Sequence, residues 1–134
     1  MVDEEAVLAA NAAFYRAFAA RDVTAMDRLW ARHVPVVCIH PGWQALHGRE
    51  AVIASWRGIL TGPGAPPIVC IRPSAHVFGT VAFVICNERI PGAELVATNI
   101  FVREDGEWKL VQHHAGGVAH PSDADEEPPR GTVH

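Results

Sequence analysis

The stretch ATNIFVREDGEWKLVQHHA, residues 97–115, decides the fold. Two runs rich in β-branched and aromatic residues flank Asp105-Gly106, a dipeptide typical of a two-residue hairpin turn. A second hairpin precedes the first, because the run TVAFVICNERI, residues 80–90, ends at Pro91-Gly92. The second half of the chain therefore predicts four strands, at 68–78, 80–90, 94–103 and 107–115.

The first half of the chain has helical periodicity instead. Apolar residues recur every three or four positions over 4–20, 23–31 and 49–60, which predicts three helices. Residues 34–40 form a short β-rich run that ends at Pro41-Gly42. The predicted order is ααβαββββ, an α+β fold in which helices cover one face of an antiparallel or mixed sheet.

Length and charge limit the organisation and the partners. The 134 residues suit one domain, which we place at 1–120. Residues 121–134 are rich in proline and acids and predict a disordered acidic tail. The rest of the chain is nearly neutral, so nucleic-acid binding is not expected.

The sequence has neither the pattern of a signal peptide nor that of a membrane span. The start MVDEEAVLAAN is acidic where a signal peptide would be basic, and no run is long enough for a membrane span. Cys38, Cys70 and Cys86 lie in apolar strand-like runs, which is typical of reduced core thiols. We therefore expect a cytoplasmic protein that does not bind membranes.

The two turns also predict which side chains share a face of the sheet. Directly opposed residues lie on one face if each turn has two residues, and a one-residue bulge would exchange the faces beyond it. One face then carries Ala82, Val84, Cys86, Glu88, Leu95, Ala97, Asn99, Phe101, Trp108, Leu110, Gln112 and His114. Because Asn99, Gln112 and His114 converge among apolar neighbours, this face predicts a pocket for a small apolar molecule. The alternative is a satisfied hydrogen-bond network in the core.

The other face is β-branched and aromatic with few charges. Exposed to water, it would form a large apolar patch. We therefore predict a homodimer across this outer face, with Phe83, Ile85, Ile100 and Val111 buried between the subunits.

Two histidines are the candidate catalytic residues. His40 ends the first strand and shares its parity with Val36 and Cys38, so its side chain is expected to lean toward the pocket. A neutral imidazole can exchange a proton near neutral pH. We predict that His40 and His114 line one pocket; the alternative is that His40 only caps the strand.

Further ligand contacts are predicted from aromatic residues, and Glu88 is an open case. Tyr15, Trp43 and Trp56 are candidate ligand-binding residues, although Tyr15 and Trp56 also suit the core. Glu88 is an acid on the pocket face, where burial would raise its pKa and suit it to act as a base. Its closeness to the turn favours a solvated edge position or pairing with Arg89 or Arg72.

Motifs for metals and cofactors are missing from the sequence. It has no HxH, HExxH or CxxC spacing and no glycine-rich phosphate loop at the start of a helix. We expect no cofactor and no metal.

Four stretches resemble the SnoaL-like branch of the nuclear transport factor 2 superfamily. They are FYRAFAARDVTAMDRLWARH, VVCIHPGW, HGREAVIASW and the stretch 97–115, and the resemblance spans roughly residues 5–118. It implies a curved sheet wrapped around helices as a cystatin-like cone, with a pocket inside and a dimer across the sheet. Enzymes of the superfamily use an acid or a histidine in the cone, often with a Tyr or Asn partner. In this chain His40, Asn99, Gln112 and His114 are expected where such groups could lie, but they match no known catalytic set of the superfamily, and the isomerase pairing of a Tyr with an Asp is not recognisable.

These observations favour a small-molecule-binding cone domain whose specific activity the sequence leaves open. Acid–base catalysis of isomerase, dehydratase, hydrolase or cyclase type is one expectation, with Asn99 and Gln112 orienting a carbonyl group or a water. The alternative is a non-enzymatic dimeric assembly or regulatory module.

Overall fold

Three helices precede most of the sheet. The computed structural model describes residues 2–120, and the predicted tail, 121–134, lies outside the described residues. The helices are α1 (Val2–Ala19), α2 (Val23–Leu29) and α3 (Arg49–Thr61). The strands are β1 (Val37–Ile39), β2 (Leu46–His47), β3 (Val69–Phe78), β4 (Val81–Ile90), β5 (Ala93–Glu104) and β6 (Glu107–Gly117).

The strands form one mixed sheet in the order β2-β1-β6-β5-β4-β3. β1 runs parallel to β6, and the other neighbouring pairs are antiparallel. The α+β prediction is confirmed, with one strand more than expected. The sequence does not predict β2, because a strand of two residues is too short to show an alternating pattern. Within residues 2–120, no helix has the length and apolarity needed to cross a membrane.

The β4–β5 hairpin has the predicted register along its whole length. Glu88 opposes Leu95, and Val84 opposes Asn99. Gly92 has a φ of 78°, a left-handed conformation that glycine adopts at little cost in this two-residue turn.

The β5–β6 hairpin departs from the prediction at one point. Phe101 opposes Leu110 as expected, but Ile100 opposes Gln112, so Val111 is an extra residue on β6. This β-bulge exchanges the faces beyond it. His113 therefore opposes Asn99 on the inner face, while His114 opposes Thr98 on the outer face.

The helices pack against the inner face of the sheet and enclose the core. Phe14, Trp30 and Phe101 are among the largest fully buried side chains. Arg21, between α1 and α2, donates to the carbonyl oxygens of Leu60, Gly62 and Ala65. These bonds fix the loop after α3 to the corner between the first two helices.

Candidate functional site

A cavity lies between the helices and the inner face of the sheet. Its volume is about 290 Å³, close to the lower end of the range for small-molecule sites. Most of its wall is apolar, with side chains that include Phe14, Phe18, Trp56, Ile59, Ile90 and Leu95. Pro41 and Pro66 are the exposed members of its lining and mark its mouth.

Four polar side chains interrupt this apolar wall. They are Tyr15 from α1, His40 just after β1, Glu88 from β4 and His113 from β6. All four are buried, with 2% of Glu88 and 3% of His113 exposed. Because buried polar groups cost free energy unless they are hydrogen-bonded, their partners determine what they can do.

Tyr15 holds the carboxyl group of Glu88. The Tyr15 hydroxyl donates to Glu88 Oε2 over 2.6 Å, and the Cys86 sulfur lies 3.1 Å from the same hydroxyl oxygen. Burial raises the pKa of Glu88, and the Tyr15 hydrogen bond opposes that rise by stabilising the carboxylate. Burial, with the charge of Glu88, also raises the pKa of Tyr15, which therefore keeps its proton. Neither the solvated edge position nor the Arg89 or Arg72 pairing considered for Glu88 is found.

Asn99 fixes the orientation and the tautomer of His113. The Asn99 amide nitrogen donates to Asn11 Oδ1 over 2.8 Å and to the Tyr15 oxygen over 3.2 Å. Its Oδ1 therefore accepts, and it lies 2.5 Å from His113 Nδ1. This arrangement assigns the proton to Nδ1 of His113 and leaves a lone pair on Nε2. Burial, with smaller effects from His40 and His114, lowers the pKa of His113 to about 3, so the ring is neutral.

The same reasoning assigns the tautomer of His40. Its Nε2 lies 2.9 Å from Ser55 Oγ, and the Ser55 hydroxyl donates to the Val52 carbonyl over 2.7 Å. Ser55 Oγ must therefore accept from His40 Nε2, which leaves the lone pair on Nδ1. Burial lowers the pKa of His40 to about 4. Both imidazoles of the cavity are thus uncharged at neutral pH.

The structure brings only some of the predicted site residues together. His40, Tyr15 and Trp56 line the cavity, whereas Asn99 is fully buried behind it. Asn99 therefore holds Tyr15 and His113 from behind the cavity wall. Trp43 is half exposed and packs its ring against His40, outside the cavity lining.

The prediction that Gln112 and His114 line the cavity is wrong. Val111 is bulged, so both side chains lie on the outer face and the predicted pairing of His40 with His114 fails. His113 takes the place predicted for His114. The sequence could have indicated an inward histidine, because His113 and His114 are adjacent and adjacent residues on a strand point to opposite faces. One of the two imidazoles therefore had to face inward.

The candidate metal ligands that cluster among the described residues lie at the surface, away from the cavity. Ligand atoms of His33, Glu104 and Asp105 lie within 4.8 Å of one another. The Glu104 carboxylate already accepts the backbone N–H groups of Arg32 and His33. The position of the Glu104 carboxylate is thus explained by its hydrogen bonds to the backbone that follows α2.

A curved sheet that wraps around helices to form a cone is the cystatin-like fold, which two solved structures of that description share. The description "SnoaL-like domain" matches residues 7–119, and the chain belongs to this family. The family lies in the nuclear transport factor 2-like superfamily, as the sequence resemblance implied.

Two solved structures are similar in sequence as well as in fold. A "putative dehydratase from the NTF2-like family" from Streptomyces avermitilis is 33% identical, with a TM-score of 0.81 over 89% of this chain and 98% of that chain. A "putative calcium/calmodulin-dependent protein kinase type II association domain" from Thiobacillus denitrificans is also 33% identical, with a TM-score of 0.73 over 82% and 93% of the two chains.

A longer curated relative contains a similar segment. The F-box protein SKIP8 of Arabidopsis thaliana is 26% identical over 112 residues, which are 82% of this chain and 48% of that protein. The chain thus spans about half the length of this relative.

Proposed function

We propose that the cone binds a small, mostly apolar molecule and exchanges a proton with it. The observation that carries the proposal is the convergence of Tyr15, His40, Glu88 and His113 in an otherwise apolar cavity. Ligand pockets combine apolar walls with a few placed polar groups in this way. The dehydratase description of a 33% identical structure supports acid–base chemistry of that type.

Glu88 is the proposed acid–base residue. Its raised pKa lies closer to neutral pH than that of an ordinary carboxyl, which suits it to give and take a proton. Tyr15 fixes its orientation through the 2.6 Å hydrogen bond. The neutral His40 and His113 rings offer lone pairs that accept hydrogen bonds from the ligand. The roles proposed for the two predicted histidines thus fall to His40 and His113, with Glu88 added.

Filling the cavity tests the binding proposal. Ile59 lines the cavity and Ala54 is exposed on the same helix. Native mass spectrometry of the purified protein should detect a co-purified small molecule in the wild type and in Ala54→Trp. Ile59→Trp should lack that molecule because the indole occupies its space. Equal retention by both variants would contradict binding in the cone.

We also propose a homodimer across the outer face of the sheet. Ile85 and Val96 are 40% and 41% exposed there, and Phe83, Ile100 and Val111 are partly buried on the same side. An apolar surface of this kind is typical of a protein interface. The association-domain description of the second 33% identical structure supports this role, which can coexist with ligand binding or stand alone as an assembly function.

A charge placed on this face tests the dimer. Ile100→Lys should lower the sedimentation coefficient to that of a monomer, because an ammonium group buried between subunits lacks a partner. Thr80→Lys, in the exposed turn between β3 and β4, should leave the coefficient unchanged. A dimer that survives Ile100→Lys, or a monomeric wild type, would refute the interface.

We further propose that the protein resides in the cytoplasm. The thiols of Cys38, Cys70 and Cys86 are unpaired, as reducing compartments favour. Fractionation of the source cells, followed by mass spectrometry of each fraction, tests this location.

A further inference from the structure

The polar hydrogens of His40, His113 and Tyr15 are already used in hydrogen bonds within the protein. His113 Nδ1 donates to Asn99, His40 Nε2 donates to Ser55, and the Tyr15 hydroxyl donates to Glu88. The groups left for a ligand are the His113 Nε2 lone pair and the Glu88 carboxyl, together with His40 Nδ1, whose lone pair already has the Cys38 sulfur 4.0 Å away. The site therefore presents mainly hydrogen-bond acceptors, and few donors, to a ligand.

Trp56 carries the remaining donor in this part of the wall. Its indole N–H has no hydrogen bond by distance and angle within residues 2–120, and it lies beside the Cys38 sulfur. Burial raises the pKa of the Cys38 thiol to about 12, with the Trp56 contact opposing the rise. This N–H is thus turned toward β1.

The carboxyl group of Glu88 also lacks a cationic partner. Within residues 2–120 it forms no ion pair, and no Lys or Arg lines the cavity. The titratable groups that surround it are Tyr15 from α1, Cys86 on its own strand and Cys70 from β3. None of these three groups can carry a positive charge.

We infer that the ligand of this cavity is a small apolar amine, bound as an ammonium ion that donates to Glu88 and to the neighbouring imidazole nitrogens. The inference rests on the proposed function, since it names the ligand class of the same cavity. An ammonium group has up to three hydrogens and no lone pair, which matches a site of acceptors. Phe14, Phe18 and Trp56 also line the cavity, and an aromatic ring attracts a cation that lies over its face.

Anionic ligands fit this site poorly. A carboxylate or phosphate would meet Glu88 and two neutral imidazoles, with no Lys or Arg in the lining to compensate its charge. An amine, in contrast, completes a buried ion pair and lowers the pKa of Glu88. Where Glu88 is protonated in the free protein, amine binding therefore releases a proton to solvent.

Three probes of nearly equal size separate the ligand classes: phenethylamine, 2-phenylethanol and phenylacetate. Isothermal titration of the wild-type chain should show phenethylamine binding about tenfold or more tighter than the alcohol, with phenylacetate weakest. Titrations of phenethylamine in buffers of different ionisation enthalpy, at mildly acidic pH, should show proton release on binding. The alcohol should release none.

Glu88→Gln should bring phenethylamine and the alcohol to similar affinities while the alcohol still binds. Glu94→Gln is the matched control, because Glu94 is equally buried but lies on the outer face, where it accepts from Asn87. That variant should keep the preference for the amine. The wild-type ranking and the proton release decide the matter even if Glu88→Gln does not fold.

The outcomes separate the two proposals. An alcohol or a phenylacetate that binds as tightly as phenethylamine overturns the amine inference and leaves the proposed function standing. Preference for the amine that persists in Glu88→Gln also overturns the inference. Binding of none of the three probes contradicts the proposed ligand pocket, and the inference falls with it.

Discussion

The two faces of the sheet depart from the usual distribution of polarity at a few positions each. The inner face holds Glu88, Asn99 and His113, each at most 3% exposed, while the outer face leaves Ile85 and Val96 about two-fifths exposed. Polar groups are costly inside a core unless every one of them finds a partner, and apolar side chains are costly in water. The proposed ligand site would account for the inner polar groups, and the proposed homodimer would account for the outer apolar ones.

The largest effect is expected where the inner network is broken at its centre. Asn99→Leu removes three hydrogen bonds, including those that Asn99 makes with the buried Asn11 Oδ1 and His113 Nδ1. The free energy of unfolding in urea should fall by about 4 kcal/mol. Thr98→Val, one residue away on the outer face, should change it by less than about 0.5 kcal/mol. Comparable losses in the two variants would abolish the contrast between the faces.

Acid should destabilise the protein through its two buried histidines, His113 and His40, because burial lowers the pKa of both. The pKa of His113 is about 3 in the fold against 6.5 ordinarily, so protons bind the unfolded chain first as the pH falls. Between pH 7 and pH 4, this group alone removes about 3 kcal/mol of stability. Glu88 acts in the opposite direction, because its raised pKa favours the protonated fold and its contribution is lost only as the pH rises.

His113 and His114 allow the effect of acid to be compared between the inner and the outer face of the sheet. His113→Gln should flatten the loss of thermal stability below pH 7, whereas His114→Gln, on the outer face, should keep the wild-type slope. Equal slopes in the wild type and His113→Gln would show that the inner imidazole is not the group that titrates.

The smallest effect is expected at the hydroxyl of Tyr15. Tyr15→Phe removes the donor to Glu88 and should cost about 1 kcal/mol of stability. The pKa of Glu88 should rise further, because this hydrogen bond is what opposes the rise. Carbon-13 NMR titration of the side-chain carboxyls in the wild type and in Tyr15→Phe measures the change. A Glu88 pKa that falls or stays fixed would contradict the assigned donor.

Local signals in the sequence predicted most of the fold and part of the site. Pro91-Gly92 and Asp105-Gly106 marked both turns, so the positions of Glu88 and Asn99 on the inner face followed from alternation alone. The parity of β1 likewise predicted that His40 faces inward, and it is buried.

The errors came from features that leave no local pattern. No glycine or proline accompanies the bulge at Val111, and a single extra residue is enough to exchange His113 and His114. The partner of Glu88 was missed for another reason. Tyr15 lies 73 residues away on α1, and only packing of the helix into the cone brings the two together.

Arg21 ties the rim of the cavity to the corner between α1 and α2. Its guanidinium group holds the carbonyl oxygens of Leu60, Gly62 and Ala65, in the segment that leads to Pro66 at the mouth. If the proposed ligand enters past Pro66, these bonds must open for it to pass and close again behind it. Weakening them would then speed entry and exit together, so the residence time would shorten while the equilibrium constant hardly moved.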